Sequence, residues 1–446
     1  MFLKEFTSIT VAASFARLGT FIIVPFLVYR WDDEQLGHYD LYWSTLLFFE
    51  ILFSMKLSDA LFRYTLKNKS ERTELLNAAL FSLILLGIIC TSLVITLTYL
   101  FGDLNVALFF VCITASLRVI IFSLQEYERA IGNFFNHSLI SIFLGVSYVI
   151  NVLILDAVDK LTINNLFFGV LAANSLICTY SWYSVKPTLS APKTHNVSKL
   201  FLFGATLLPS TLSWWVVRYA SRWVIASTAG VVAVAFVTKT SYVALIYSAL
   251  ATIMLQTFQR RIFSQIDSKS NKLSVEYERY LAVLSTSSII FCVGVICYST
   301  YFEITTLYFS TVITVIIANW FLALSAFYGQ LYTAHLQILR ASISAVIGAI
   351  VTITAMLLVV QLLGYYYYSL GILLGAFTMY LIRSIDLAPQ ISSHTKRYEY
   401  FATSVAILLV IITWLIPTSD FTFQHLFILA PISIILFLIK SRSVKT

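Results

Sequence analysis

Charge is scarce in this chain. Of its 446 residues, 29 are Lys or Arg and 21 are Asp or Glu, so charged residues make up 11%. A soluble domain carries about 25%, which excludes an ordinary water-soluble globular protein. Long hydrophilic segments are also missing. The longest, near residues 186–199 and 260–279, hold about twenty residues or fewer, too few to fold alone. Cysteine is sparse: Cys90, Cys112, Cys178, Cys292 and Cys297 all sit inside apolar runs without metal-ligand spacing, so neither a disulfide framework nor a metal site is implied. No Gly-rich phosphate loop, His-Glu-x-x-His pair or Gly-x-Ser-x-Gly elbow is present, which leaves no support for the enzymes built on them. The six histidines are scattered near the ends of apolar runs and read as solvated side chains. No cofactor is implied.

Apolar sequence fills the space left by these absences. Hydrophobic residues make up 59% and aromatics 15%, with a mean hydropathy of +0.87. About 20 apolar residues cross the hydrocarbon core, and on that criterion the chain is an all-α polytopic membrane protein with about 14 spans. They lie near 8–30, 39–60, 75–101, 104–123, 134–155, 163–185, 199–220, 231–257, 279–300, 304–327, 337–362, 366–384, 398–416 and 423–439. One lysine and one glutamate precede the first run, without a short apolar core and a cleavage site, so this run is expected to stay in the protein.

The net charge of +8 does not point to nucleic acid, because the basic residues are spread over short loops, where they encode topology. With both termini cytoplasmic, most of the 29 basic residues fall on the cytoplasmic side, including the groups Arg63 to Arg72 and Arg260 to Arg279. Arg30, Lys160 and Arg222 fall on the other face. Aromatic clusters at span ends, such as Trp31 to Trp43 and Tyr365 to Tyr368, fit interfacial belts; for the tyrosine run a sugar platform stays open beside the anchor reading.

Spans 1 and 7 each carry one proline inside apolar sequence, Pro25 and Pro209. Such a proline removes a backbone hydrogen bond and favours a kink, so both are candidate hinges. Each opens a group of six spans, a repeat of the kind transporters use. The expected organisation is an N-lobe over 1–190, a C-lobe over 191–390 and a helix pair over 391–446.

Charge inside the spans is the main functional signal. A charge at the bilayer centre costs roughly 2.5 to 3.5 kcal/mol on insertion scales, so it calls for a partner or a wet cavity. From helix rise, Arg17 in span 1 and Glu50 in span 2 lie at similar depth, roughly 13 and 15 Å from one side. They read as an ion pair or as transport residues. Lys56, Asp59 and Arg63 share one helical face near the interface, where snorkelling explains them. Arg218 and Arg222 share a face at the end of span 7, and Lys239 lies roughly 12 Å into span 8; with Arg17 and Arg118 they outnumber Glu50, the one clear central acid. A cationic interior favours an anionic ligand, phosphate above all. Headgroup contact is the other reading for Arg218 and Arg222.

Gly37-x-Tyr39-x-Leu41, followed by Leu57-x-x-Ala60-Leu61-x-Arg63, resembles the Wzx-type polysaccharide flippases of the multidrug, oligosaccharidyl-lipid and polysaccharide exporter superfamily. The region from Pro209 and Trp214 to Arg222 resembles that family's seventh helix, and Leu370 to Ala376 its twelfth. The chain departs from the family where Lys56 stands in place of a frequent glycine, at Ser221-Arg222 in place of Asp-Arg, and at Ala235-Phe236-Val237-Thr238 in place of Gly-x-Tyr-Ser.

The resemblance implies a flippase that carries an undecaprenyl-diphosphate-linked oligosaccharide, an O-antigen or similar repeat unit, across a bacterial inner membrane. It also implies alternating access, membrane lipids as surroundings, and the polymerase and chain-length proteins of the same pathway as partners. Arg17 and Arg222 are its better candidates for a cationic contact. Arg17, Arg118, Arg218, Arg222 and Lys239 form the expected diphosphate path. Protonation of Glu50, releasing Arg17, is a candidate for proton coupling, and Lys56 and Asp59 join it as a possible coupling or ion-pair group; sodium is the other candidate ion. Two alternatives stand beside this reading: a membrane polymerase or glycosyltransferase, for which the outer loops are short, and an exporter of small amphiphiles.

Overall fold

The computed structural model describes residues 19, 22–100, 105–188, 191–267, 273–301, 306–335 and 337–415. Among them all regular structure is helical: α1 (22–30), α2 (Asp33–Ser54), α3 (Leu57–Lys67), α4 (Arg72–Leu100), α5 (Val106–Ile131), α6 (Phe134–Ala157), α7 (Ile163–Val185), α8 (Thr194–Ala229), α9 (Val231–Asp267), α10 (Leu273–Tyr301), α11 (Thr306–Ala334), α12 (Ile338–Leu363), α13 (Tyr368–Asp386) and α14 (Ser393–Leu415). Among the described residues ten helical segments are long and apolar enough to cross a membrane. The protein is an all-α polytopic membrane protein. Arg17, most of the first expected span and all of the last, 423–439, lie outside the described residues.

Local chemistry sets the helix ends. The Asp32 carboxylate caps α2 by accepting from the Gln35 amide at 2.8 Å, and Asn105 caps α5 through the Ala107 and Leu108 amides. Gly132 closes α5 in the left-handed region, at φ 91°. The α2 cap lies seven residues before the expected start of span 2, which brings Asp33 into the helix and places Asp40 two turns along it. At its other end α2 stops at Met55 and Lys56, both left-handed at φ 42° and 58°. Span 2 is therefore two helices rather than one continuous run to Ala60, and Asp59 opens the second of them.

The chain divides into two compact units, Met1–Lys239 with Ile338–Val346, and Thr240–Gln337 with Ile347–Thr446. This division falls inside α9, whereas the sequence suggests one near residue 190. In the first unit α8 packs along α2, α3 and α4. Two glycines let these backbones touch. A Cβ on Gly37 would stand 2.2 Å from the Val231 carbonyl oxygen, and one on Gly204 2.1 Å from that of Met55. Glycine in the Gly37-x-Tyr39 motif thus seats one end of α2 beneath α9, while Gly204 of α8 seats the other. Pro209 lies inside α8, and the nearby Thr206 carbonyl accepts from Ser342 Oγ at 3.3 Å. Pro25 lies exposed in α1.

In the second unit α11 is the buried axis, packed on α10, α13 and α14. Trp320, Phe321, Phe327 and Tyr328 are buried along it. Here the tyrosine run is largely absorbed by structure: Tyr367 stacks on Trp414 with centroids 4.8 Å apart, and the buried Tyr368 shares hydrogen bonds with Thr240 and Ser241.

Candidate functional site: the charged interior of the first unit

Glu50 and Arg118 meet where α2 packs on α5. Arg118 Nε lies 2.8 Å from Glu50 Oε1, and the two side chains are 15% and 13% exposed. Both atoms are buried, and neither makes a directed hydrogen bond. The contact is ionic, with hydrogen-bonding capacity left over. Aromatic rings flank the guanidinium, Trp43 at 5.5 Å and Phe122 at 5.4 Å. Among the described residues the Glu50 carboxylate pairs with Arg118; Arg17, the partner that equal depth suggests, lies outside them. Helix rise gives depth but not which helices are neighbours, and α5 is a close neighbour of α2.

The second group ties α2 to α8 and α9. Arg222 Nε donates to Asp40 Oδ2 at 3.0 Å, and Thr238 Oγ1 donates to the same oxygen at 2.8 Å. Arg222 also donates to the Arg218 carbonyl at 2.8 Å. At 3% exposure the Arg222 side chain is enclosed by protein, on a helix that runs on to Ala229 instead of ending near residue 220. Headgroup contact is therefore excluded for Arg222. Lys239 reaches Asp33 at 2.5 Å, and Lys56 pairs with Asp59 at 2.8 Å.

Arg218 differs from these cations. Its guanidinium lies 5.2 Å from the Trp214 ring centroid, its Nε is buried without a hydrogen bond, and no carboxylate pairs with it among the described residues. Aromatic side chains surround this part of α8: Trp215 lies 4.8 Å from Phe48 and near Tyr219, and its indole N–H donates to the Ser44 carbonyl at 3.0 Å. A guanidinium backed by a ring and without an internal counter-ion is suited to a planar oxyanion such as phosphate.

The sequence reading thus overstates the free positive charge. Arg118, Arg222, Lys239 and Lys56 each have a carboxylate partner. Asp33 escapes notice because span 2 reads as starting at Tyr39, and Asp40 because it is the second residue of that expected span, where an acid passes as an interfacial group. The signal that finds Asp33 is the Asp32 cap, followed by acids in the first turn. Glu126 and Arg129, paired at 2.9 Å near the end of α5, are missed for the same reason: the expected span stops at residue 123 and the helix runs to Ile131.

A model of the family described as polysaccharide biosynthesis protein matches residues 2–258, more than half of the chain. The chain belongs to the polysaccharide biosynthesis protein family. Solved structures with the same fold include the lipid II flippase MurJ in an inward closed conformation, at 15% identity and TM-score 0.61, covering 96% of this chain and 100% of that one. A multidrug resistance MATE family transporter of the MOP superfamily, outward-facing, gives 14% identity and TM-score 0.63 over 89% and 96%. A MOP superfamily transporter from Pyrococcus furiosus gives 11% and 0.61 over 87% and 96%. No curated protein matches the chain. As a member of the polysaccharide biosynthesis protein family with a MOP-type fold, the chain has an architecture shared by flippases and exporters. The family's frequent glycine at the position of Lys56 also gains a reason, since φ 58° is a conformation that glycine adopts without steric cost.

Proposed function

We propose that this protein is a flippase for a lipid-linked oligosaccharide whose anchor is an isoprenyl diphosphate, undecaprenyl diphosphate in a bacterial inner membrane, with O-antigen-type repeat units as cargo. The observation that carries the proposal is Arg218, a part-buried cation without a carboxylate partner among the described residues, whereas Lys56, Arg118, Arg222 and Lys239 each have one. In this reading Arg218 receives the diphosphate, and Arg118 joins it once Glu50 lets go; Arg17 is a further candidate contact. Arg222 and Lys239 shape the path through their acid partners and do not meet the ligand directly. The polar glycan travels beside the rings of Trp214, Trp215 and Tyr219, while the lipid tail stays in the bilayer. Access alternates as α1 and α8 flex at Pro25 and Pro209.

Proton coupling follows from the same geometry. Protonating Glu50 cancels its hold on Arg118, so an anionic ligand and a proton favour each other at this pair. Pathway polymerase and chain-length proteins are the expected partners, and both termini face the cytoplasm. The test is flipping of a lipid-linked oligosaccharide in proteoliposomes. Charge-assisted hydrogen bonds contribute about 1.5 to 3 kcal/mol, so Arg218→Ala is expected to lower flipping at least about ten-fold, with part recovered in Arg218→Lys. Equal flipping by all three proteins would remove Arg218 from the path. Export of small organic cations by native protein that does not flip the lipid would replace the flippase with an exporter.

A further inference from the structure

A second charged cluster lies in the other unit, where the start of α14 packs on α10 and α11. Lys396 is almost fully buried and Glu399 is 0% exposed. Four oxygens converge on the Lys396 ammonium: Tyr328 Oη at 2.8 Å, the Ser384 carbonyl at 2.9 Å, Ser384 Oγ at 3.0 Å and Glu399 Oε2 at 3.1 Å. The Tyr328 hydroxyl in turn donates to the Glu399 carboxylate, with its oxygens at 2.7 and 2.8 Å. Ser384 sits in the last turn of α13, where carbonyls lack partners within the helix and the dipole is negative.

A salt bridge requires only the carboxylate. Lys56 shows this, meeting Asp59 with a side chain that stays 28% exposed. Around Lys396 a carboxylate, a helix-end carbonyl and two hydroxyls form an all-oxygen shell, the donor set that hard cations take. Arg383, one residue before Ser384, donates to the Ser325 carbonyl at 2.7 Å. The shell is closed by Tyr277 and Tyr380, both buried.

We propose that the junction of α11, α13 and α14 is a monovalent-cation site whose resident ion in this chain is the tethered ammonium of Lys396, and that it takes up sodium, potassium or ammonium once that side chain is removed. The site is independent of the flippase reading. It belongs to the second unit and makes no use of Arg218 or Glu50.

Thermal unfolding of the full-length protein in detergent tests this, with sodium, potassium, ammonium or choline chloride at one ionic strength. Native protein is expected to give the same midpoint in all four salts. Lys396→Ala is expected to unfold earlier in choline and to recover about 2 to 4 °C in at least one small cation, with the recovery abolished by adding Glu399→Gln. Identical midpoints in all four salts for Lys396→Ala would overturn the proposal, as would recovery that survives Glu399→Gln. A sodium-specific shift in the native protein would also overturn it, since the site would then not be filled by its own lysine. If Lys396→Ala does not accumulate folded, Lys396→Gln keeps the stem without the charge, and the same salt series on that variant decides by the same outcomes.

Discussion

Removing the Asp40 carboxylate takes from the buried Arg222 guanidinium the acid it donates to, and breaking one side of a buried pair costs about 3 to 5 kcal/mol. Asp40→Ala is therefore expected to lower the thermal midpoint sharply. Asp40→Ala with Arg222→Met is expected to lose much less than the two single changes combined, read as a double-mutant cycle of unfolding in detergent. Glu50→Gln should behave differently. It leaves a neutral group beside Arg118, so the expected result is flipping that persists but no longer responds to a proton gradient; retained gradient dependence at normal protein level would count against coupling at Glu50. At this scale the sequence exposes the bases better than their partners. Arg118, Arg222 and Lys239 stand out among apolar residues, whereas Asp40, the second residue of the expected span 2, reads as an interfacial group close to the acidic stretch Asp32-Asp33-Glu34. Pairing across 182 residues, as between Asp40 and Arg222, is set by packing that no local pattern encodes.

The break between α2 and α3 is an element-scale feature. A left-handed conformation costs an L-residue roughly 1 to 2 kcal/mol, and Lys56 adopts it with only a half-exposed partner, Asp59, in return. Lys56→Gly should thus leave stability unchanged or raise it by about 1 kcal/mol, despite losing the ion pair. Gly204→Val should do the reverse, because its Cβ would stand 2.1 Å from the Met55 carbonyl oxygen and force α8 off the break. Both are measured by thermal unfolding. Hydropathy places most helices within a few residues of their observed positions, since span length is dictated by the bilayer and hydropathy reads it directly. It does not find this break. Apolar residues flank Met55 and Lys56 on both sides, and neither residue is a turn former.

At the scale of the whole molecule, composition excludes a soluble fold and short motifs point to the family that the match over residues 2–258 establishes. The two compact units by packing divide inside α9, and no local pattern in the sequence encodes which helices pack together. The order of partners along the chain also bears on how the protein is made. Asp40 is synthesised 182 residues before Arg222; at about 5 to 20 residues per second that is a delay of roughly 10 to 40 seconds. Glu50 waits a shorter time for Arg118. During this interval α2 has its acids but not their counter-charges, so it is expected to stay beside the insertion machinery or at the membrane surface until α8 arrives. Nascent chains stalled after α7 should leave a cysteine placed in α2 open to water-soluble thiol reagents, while chains stalled after α9 should protect it. For this helix, crossing the membrane is an event that depends on sequence not yet translated.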